Sequence, residues 1–237
     1  MTLDEILASL DHDITVREDG LLAGRAVIGQ PVDVIGVSGG VPVGVDEALW
    51  LSERVLDTIR RGGDRPIVVL VDSDSQRMSK RDELLGLNEC LAHLAKCLLL
   101  ASQRGHKTVG LLYGHTAAGA FIATALATRV LVALPGASPA VMDLPSISRV
   151  TKLPLDVLEE MAKSTAVFAP GLDNLAKTGA VDAVLDPALP LAPQLERWLA
   201  EPADRPDDRA QRGESQGSRL AAARIARRVN ELARSAG

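Results

Sequence analysis

KTVGLLYGHTAAGAFIATALATRVLVALPGASPAVMDLP, residues 107–145, runs from an apolar strand through a glycine-bounded turn and an alanine-rich helix into a second apolar strand. We predict the strands at Thr108–Tyr113 and Val130–Leu134 and the helix at Thr116–Thr128. A strand, a helix and a second strand in succession are typical of a parallel sheet built by right-handed crossovers. This stretch therefore predicts an α/β fold with a mainly parallel sheet.

Upstream of this stretch the alternation of strands and helices continues. Turn sequences separate three short β-branched runs, which we expect to open the domain as an antiparallel element. Apolar residues at helical spacings then predict two long helices around the continuous apolar strand PIVVLVD. The predicted elements are strands at Ile14–Arg17, Leu22–Ile28 and Val32–Val37, a helix at Asp46–Arg61, a strand at Pro66–Asp72 and a helix at Asp82–Arg104. The buried faces predicted for the two helices are Leu49, Ser52, Leu56 and Ile59, and Leu84, Leu87, Leu91, Leu94 and Leu98.

Downstream of the opening stretch the pattern becomes mostly helical. Helices are predicted at Pro154–Thr165 and Gly171–Lys177, with a short strand at Val181–Leu185. Residues 201–217, EPADRPDDRAQRGESQG, are polar and contain proline, so we predict a linker there. We therefore divide the chain into a domain of residues 1–200, that linker, and an arginine-rich C-terminal helix over residues 218–237 that is expected to dock.

Composition limits the classes of protein to which this fold can belong. The 237 residues are 46% hydrophobic and 2% aromatic, which suits an aliphatic core between strands and helices. The net charge is −5 without a basic stripe in the first 200 residues, which argues against a nucleic-acid binder. Two cysteines give no disulfide framework, and the apolar runs are too short to span a bilayer. We therefore expect a soluble cytoplasmic protein with no membrane or nucleic-acid partner.

The turn between the first strand and the helix of the opening stretch is the candidate catalytic element. A tight turn that leads into a helix points free backbone N–H groups at one spot, where they can stabilise an oxyanion. No Ser or Cys lies at the tip of this turn, so it lacks the nucleophile of a covalent hydrolase. The candidate catalytic residues are Gly114, His115, Thr116, Ala117, Ala118 and Gly119.

Two further segments are candidates for binding a substrate, and the first of them follows the carboxyl end of a strand, where α/β sites gather. Their residues are Ser73, Ser75, Gln76 and Arg77 after the PIVVLVD strand, and Gly39 and Gly40 in VDVIGVSGG. A solvated loop is the alternative interpretation of the first group, and we expect Asp72 and Asp74 to cap that loop. Cys90, His93 and Cys97 lie at helical spacings, but the two cysteines share a face with leucines, so no metal site is predicted.

Residues from about 14 to 187 resemble the ClpP/crotonase superfamily in the succession VDVIGVSGG, PIVVLVDSDSQ, TVGLLYGHTAAGAF and RVLVALPGASPAVM. The resemblance implies a crotonase-like fold of ββα units with two oxyanion-hole N–H groups. The Clp serine proteases are similar along this path, but Ala117 and Asp143 occupy the positions of their nucleophilic Ser and catalytic His, which excludes the protease. The enoyl-CoA hydratases need a carboxylate near the turn, and YGHTAAGAF has none.

The carboxyltransferase branch of that superfamily fits best. The α-subunit-like half of that branch carries an IDTPGA loop after one strand, a GGSGGA loop before the next helix and an APRLKELKLID stretch downstream. This chain has counterparts in the same order at LVDSDSQ (70–76), GHTAAGA (114–120) and APGLDNLAKTGAVD (169–182). The two loops carry fewer glycines than the branch does, which leaves less room for a biotin ring. Including its arginine-rich C-terminal helix, the chain resembles the γ subunits of biotin-independent malonate decarboxylases.

This resemblance implies an activity and a set of partners. The chain is expected to act as a carboxy-lyase subunit only in complex, sharing a site with a homologous β subunit. The substrate would be a malonyl thioester on an acyl-carrier subunit, and the products the acetyl thioester and CO2. A CoA-transferase-like α subunit completes the expected complex. No cofactor is expected on this chain itself, because the thioester belongs to a CoA-derived prosthetic group of the carrier.

Two other functions stay open from the sequence. A carboxyltransferase subunit of a biotin-dependent enzyme would use the same enolate stabilisation, and a non-catalytic scaffold subunit would equally lack catalytic side chains. His115 is predicted either to donate a hydrogen bond or proton to the enolate or simply to cap the turn. The C-terminal arginines are predicted either to contact the carrier's phosphate or an acidic partner, or to form a solvated helix face.

Overall fold

The computed structural model of the protein describes residues 1–164, 170–218 and 220–235. Three predicted features reach residues outside that part of the chain: Thr165 in one helix, residue 169 in the downstream motif, and residues 219, 236 and 237 in the terminal helix. The helices are α1 (Leu3–Ala8), α2 (Val45–Arg61), α3 (Lys80–Leu84), α4 (Leu87–Gln103), α5 (Ala118–Ala123), α6 (Leu144–Thr151), α7 (Leu155–Ser164), α8 (Leu172–Lys177), α9 (Leu191–Leu199), α10 (Arg209–Ser215) and α11 (Leu220–Ser235). The strands are β1 (Asp11–His12), β2 (Thr15–Val16), β3 (Leu21–Ile28), β4 (Gln30–Val43), β5 (Ile67–Gln76), β6 (Thr108–Leu112), β7 (His115–Ala117), β8 (Val130–Ala133), β9 (Ser138–Ala140) and β10 (Ala183–Val184).

One large sheet carries the fold. Its order is β1-β3-β4-β5-β6-β8-β10, with β2 paired to β3. Strands β4, β5, β6, β8 and β10 run parallel, which confirms the predicted mainly parallel α/β fold. One face packs against α2 and α4 and the other against α1 and α9, so the strands are buried on both sides. The carboxyl ends of the parallel strands therefore meet at a single edge of the sheet.

Strand β4 carries the first glycine-rich loop. It pairs antiparallel with β3, which confirms the predicted opening element. Gly39 and Gly40 have φ angles of +72° and +64°, and the pairing of β4 with β5 shifts register between Val37 and Val41. Glycine takes two successive left-handed positions without steric cost, so the pair forms a bulge at the carboxyl edge of the sheet.

The two long helices depart from the prediction in detail. On α2 the buried face holds Ala48, Leu51 and Val55, whereas Leu49 is 45% exposed. The second predicted helix is two helices, because Gly86 takes a left-handed conformation between α3 and α4. Leu84 consequently lies outside the buried face and is 77% exposed. The other leucines predicted on that face, namely Leu87, Leu91, Leu94 and Leu98, are buried.

The segment after β6 was predicted as one helix over Thr116–Thr128, and that prediction is wrong. Residues His115–Ala117 form β7 and pair in parallel with β9 in a separate two-stranded sheet. The helix that follows, α5, has only six residues. It ends at Ala123, and the next residue, Thr124, donates its hydroxyl hydrogen to the Ala120 carbonyl at 2.7 Å. The turn is therefore held between two sheets rather than on the first turn of a long helix.

Residues 201–217, predicted as a linker, include α10 and are attached to the domain. The buried carboxylate of Asp182 lies 3.2 Å from an Arg205 nitrogen and 3.0 Å from an Arg212 nitrogen. It also accepts a 2.9 Å hydrogen bond from the Leu131 N–H in the main sheet. A Cβ at Gly179 would come within 2.5 Å of the α10 backbone. These contacts connect α10 to the sheet, and the division into domain, linker and terminal helix stays a prediction.

The buried carboxylate of Asp33, at the amino end of the parallel part of β4, makes stability depend on pH. Burial raises its pKa, but hydrogen bonds from Thr58 and Arg61 outweigh burial and bring the pKa below its ordinary value. A carboxylate with a lowered pKa in the folded state stabilises the fold above its unfolded pKa of about 4, and that contribution is lost as the pH falls through the folded pKa.

We expect Asp33→Asn to lower the free energy of unfolding at pH 6 by about 2 kcal/mol, because it removes a charged hydrogen-bond acceptor. The difference from wild type should shrink below about pH 4, where the wild-type carboxylate becomes protonated. Urea unfolding at pH 6, 4.5 and 3 measures it. Asp64→Asn, at an exposed position before the next strand, is the control. A difference that stays constant down to pH 3 would contradict the assignment.

Candidate functional site

Three loops meet at the carboxyl edge of the sheet, and the Asp72 side chain connects two of them. Its Oδ1 accepts a 3.0 Å hydrogen bond from the His115 N–H in the turn after β6. Its Oδ2 accepts a 3.1 Å hydrogen bond from the Gly39 N–H in the β4 bulge. Asp72 itself belongs to β5, which lies between those strands in the sheet. The bulge, the end of β5 and the turn therefore form one cluster, which we call the three-loop site.

Gly114 is required at its position because of Asp72. A Cβ there would overlap the Asp72 carboxylate and lie 2.6 Å from the Asp72 Cβ. Any side chain at position 114 must therefore displace Asp72 or the turn. In the part of the chain that the structure describes, no group accepts a hydrogen bond from the Gly114 N–H. Position 114 thus has no room for a side chain, and its backbone N–H is left to donate to a ligand.

At the other end of the turn, the Gly119 N–H already holds an oxygen. The amide Oε1 of Gln76 accepts its hydrogen bond at 2.8 Å. Gln76 ends β5, and among the described residues its amide nitrogen donates only to the weakly accepting sulfur of Met78, at 3.7 Å. An amide carbonyl from outside the turn therefore occupies one of the backbone N–H groups that the sequence predicts to be free for an oxyanion.

A buried pair of hydroxyls and an uncommon backbone conformation also characterise the turn. The hydroxyls of Ser73 and Thr116 are fully buried and lie 2.8 Å apart, which ties β5 to β7. Ala118 has a φ of +49°, an uncommon conformation for a residue with a side chain. Strained residues of this kind cluster at functional sites. Ser73, predicted to bind substrate, and Thr116 and Ala118, predicted as catalytic, thus lie together here.

The remaining predicted residues differ in their placement. Ala117 ends β7, and the His115 side chain is exposed beside the turn. Arg77 is directed to the start of α2, where its guanidinium donates 2.8 Å to the buried Glu47. The Ser75 hydroxyl donates to the Gln76 carbonyl at 3.2 Å. Within the described residues, neither Arg77 nor Ser75 makes a hydrogen bond to the turn.

Asp143 does not replace the missing base. Its carboxylate accepts a 2.7 Å hydrogen bond from the Ser146 N–H and caps α6. That hydrogen bond, with smaller contributions from the charges of Arg149 and His115, holds the pKa of Asp143 below its ordinary value. Asp143 is therefore an anion engaged in helix capping rather than a proton acceptor.

Asp72 is a central residue of the three-loop site that the sequence analysis did not name as a site residue. The sequence predicted it to cap a loop, but it connects two loops from other strands. Beneath it, the buried Tyr113 hydroxyl faces the Val37 carbonyl at 3.5 Å, and burial, with the nearby Asp72 charge, raises the pKa of Tyr113. A carboxylate at the end of a buried strand is the one signal that could have indicated this role.

The described ranges, 1–164, 170–218 and 220–235, contain neither a metal-binding cluster nor a membrane span. No three His, Cys, Asp or Glu side chains there are grouped so that they could hold a metal ion. No helix there has both the length and the apolar character needed to cross a bilayer.

Solved structures share this fold over most of the chain. The chain matches one in the Pseudomonas malonate decarboxylase MdcD-MdcE hetero-dimer with a TM-score of 0.74 and 27% identity, covering 90% of this chain and 91% of that one. It matches a chain of the Pseudomonas malonate decarboxylase hetero-tetramer in complex with coenzyme A with a TM-score of 0.71 and 25% identity, over 90% and 91%. Transcarboxylase 12S, at a TM-score of 0.62 and 17% identity over 83% and 40%, shares the fold alone. These matches show that the chain has the crotonase fold of carboxyltransferase subunits, which confirms the predicted fold.

The sequence narrows the assignment further. The profile of the malonate decarboxylase gamma subunit family matches residues 38–233, so the chain belongs to that family. A curated relative, malonyl-S-ACP:biotin-protein carboxyltransferase MADD of Malonomonas rubra, is 29% identical over 153 residues, which cover 61% of this chain and 52% of the relative. The chain therefore spans about half the length of that relative.

Proposed function

We propose that this chain and a homologous partner subunit together form the site that decarboxylates a malonyl thioester on an acyl-carrier subunit. Membership in the malonate decarboxylase gamma subunit family supports the reaction. A relative solved as a hetero-dimer supports the shared site, and the malonyl-S-ACP in the name of the curated relative supports the form of the substrate. The CoA-transferase-like α subunit, the CoA-derived prosthetic group and a cytoplasmic location belong to the same proposal.

Decarboxylation of a malonyl thioester depends more on stabilising the negative charge of the enolate than on acid or base side chains. When the C–C bond to the carboxylate breaks, CO2 leaves and the electron pair forms an enolate whose charge lies on the thioester oxygen. Backbone N–H donors stabilise that oxygen, and a proton added to the carbon gives the acetyl thioester. One such donor contributes about 100- to 1000-fold in rate. His115, exposed beside the turn, is the proposed source of the proton.

The proposal depends mainly on the hydrogen bond that the Gly119 N–H makes. It holds the Gln76 amide oxygen at 2.8 Å, and an amide carbonyl resembles the thioester carbonyl in shape and in hydrogen-bond geometry. We propose that the substrate oxygen replaces Gln76 on this N–H, while Gly114 supplies a second donor. Once displaced, the Gln76 amide nitrogen can donate to the substrate carboxylate. The β4 bulge, with Gly39 and Gly40, is the proposed second wall of the site. The Gly39 N–H stays bound to Asp72, so Gly40 is the residue of the bulge proposed to contact the substrate.

Substitution of Gln76 tests this replacement. We expect Gln76→Glu to lower kcat/KM about tenfold, because a carboxylate binds a backbone N–H roughly twice as strongly as an amide oxygen does and competes with the substrate. Gln76→Ala should change kcat/KM by no more than about threefold, since it removes the competitor together with one donor. Steady-state kinetics of the assembled complex measure both. A fully active Gln76→Glu variant would contradict the proposed replacement.

The function itself is tested by reconstitution. The chain is mixed with its homologous partner and supplied with a malonyl thioester labelled in the free carboxylate, and CO2 release is measured. Each subunit alone should be inactive. If a partner complex lacking this chain releases CO2 at the same rate, the chain is a scaffold.

A second function has one observation in its favour, because the curated relative is named as a biotin-protein carboxyltransferase. In that case the labelled carboxylate would pass to biotin on a carrier protein. Adding a biotinylated carrier to the same assay separates the two functions. We expect the label in CO2 with or without the carrier.

A further inference from the structure

The C-terminal helix α11 has an apolar stripe that no described part of the chain covers. Ile225, Val229 and Leu232 are 61%, 58% and 49% exposed. Their spacing of four and three residues places them on one face of the helix. None of the residues that the structure describes in α11 is buried. Three large apolar side chains on one exposed helical face mark an interaction surface.

The orientation of α11 is the reverse of that expected for a helix that packs on its own domain. Arg227 makes a 2.7 Å ion pair with Glu214 of α10. Arg227 is two residues from both Ile225 and Val229, so it lies on the opposite side of the helix from the stripe. This contact with α10 is therefore made from the polar side of α11, and the apolar stripe faces away from it.

The residues around the stripe favour a protein partner over a membrane. Four alanines flank it, Ala221, Ala222, Ala226 and Ala233, and small residues let a second backbone approach closely. The helix has no aromatic side chain, whereas helices that lie on membranes typically use Trp, Phe and Leu for anchoring.

Charge argues against pairing with a second copy of α11. The described part of the helix carries Arg224, Arg227, Arg228 and Arg234 against the single acid Glu231. Arg228, three residues after Ile225 and four before Leu232, lies at the edge of the stripe. Two such helices packed together would bring like charges close. Arginine at the edge of an apolar surface instead suits carboxylates on the partner, which it binds in a bidentate manner.

We infer that the apolar stripe of α11 docks into an apolar groove with an acidic rim on the homologous partner subunit. This inference rests on the proposed function only in taking that subunit as the partner. The family match extends to residue 233, so α11 lies within the region that defines this subunit family. The stripe would thus add a contact remote in sequence from the three-loop site, one that holds the two subunits together.

The test compares two added negative charges at adjacent positions of the full-length chain. Val229→Glu places a carboxylate on the stripe, and Asn230→Glu places the same charge outside it. The dissociation constant for the purified partner subunit is measured for each, and circular dichroism checks the helix. We expect Val229→Glu to weaken binding about 10- to 100-fold and Asn230→Glu by less than about threefold, because burying one aliphatic side chain contributes that much. Arg228→Glu should weaken binding about tenfold, and less so at high salt.

Hydrogen exchange gives a readout that is independent of both affinity and activity. Amides in residues 220–235 should exchange at least about tenfold more slowly in the complex than in the free chain. Unchanged exchange, or equal binding by the Val229→Glu and wild-type chains, would overturn the inference. So would loss of self-association, or of binding to anionic vesicles, as the only effect of Val229→Glu. Decarboxylation is not measured, so a failure here is distinct from a failure of the proposed function.

Discussion

Gly114→Val is expected to lower decarboxylation by the assembled complex at least about 1000-fold while the chain still binds its partner. The new side chain would occupy the position of the Asp72 carboxylate, so the turn or Asp72 must move. Either movement displaces the N–H groups that are proposed to hold the enolate oxygen. Gly114→Ala should already lose most of the activity, because the Cβ alone makes the overlap. CO2 release and co-elution with the partner are measured on the same samples.

Two other glycines provide the comparison. Gly119→Ala should lose less activity than Gly114→Ala, since its Cβ would meet Leu91 and Gln76 side-chain atoms at 3.0 and 3.2 Å, and both side chains can move. Gly105 has a φ of +92° and open space where a Cβ would lie, so Gly105→Ala costs about 1 kcal/mol of backbone strain and leaves the rate unchanged. A fully active Gly114→Val complex would remove the turn from the site.

The second large effect is expected from Asp72→Asn. The carboxylate accepts one hydrogen bond on each oxygen, whereas an asparagine of the same shape has one acceptor and an NH2 group that would face an N–H. Either Gly39 or His115 then loses its partner, and the bulge and the turn are no longer held together. We expect kcat to fall about 100-fold with KM changed less than about threefold, because Asp72 positions donors rather than binding substrate.

Asp74→Asn is the matched control, because it makes the same chemical change two residues further along β5 at an exposed position. It should leave kcat within about twofold of wild type. The free energy of unfolding, measured in urea, should fall by about 1–3 kcal/mol in Asp72→Asn, the cost of one unpaired N–H. If Asp72→Asn raises KM and leaves kcat intact, Asp72 contacts the substrate instead of positioning the turn.

The sheet could be predicted from the sequence because its strands are apolar runs that depend on little beyond their own residues. The predicted bounds Pro66–Asp72 and Val130–Leu134 lie within four residues of the bounds of β5 and β8. Burial on both faces forces such strands to be continuously apolar, and glycine and proline mark their ends. The family resemblance, carried by the loops after these strands, is likewise confirmed by the match over residues 38–233.

The errors occur where tertiary contacts outweigh local preference. Alanine-rich residues after Thr116 favour a helix, yet pairing with β9 holds His115–Ala117 as a strand. Gly86 interrupts the second long helix because a single left-handed residue there allows α3 to turn away from α4. Leu49 is exposed because Ala48, Leu51 and Val55 already fill the face of α2 that meets the sheet.

The contacts within the site could not be predicted from one sequence. The hydrogen bonds of Asp72 and Gln76 join residues that are 33 and 43 positions apart. Strand order determines which loops meet, and side-chain length then determines which N–H groups are reached. The sequence identifies Gly114 and Gly119 as the ends of a turn, but only the structure gives the reason for Gly114 and the internal ligand of Gly119.

The structure of the assembled complex with a malonyl thioester analogue, its sulfur replaced by a methylene group, tests the central claim most directly. We expect the analogue's carbonyl oxygen within about 3 Å of the Gly119 nitrogen, the Gln76 side chain displaced, and Asp72 still bound to Gly39 and His115. An analogue held only by the partner subunit, with Gln76 still on the Gly119 N–H, would contradict it.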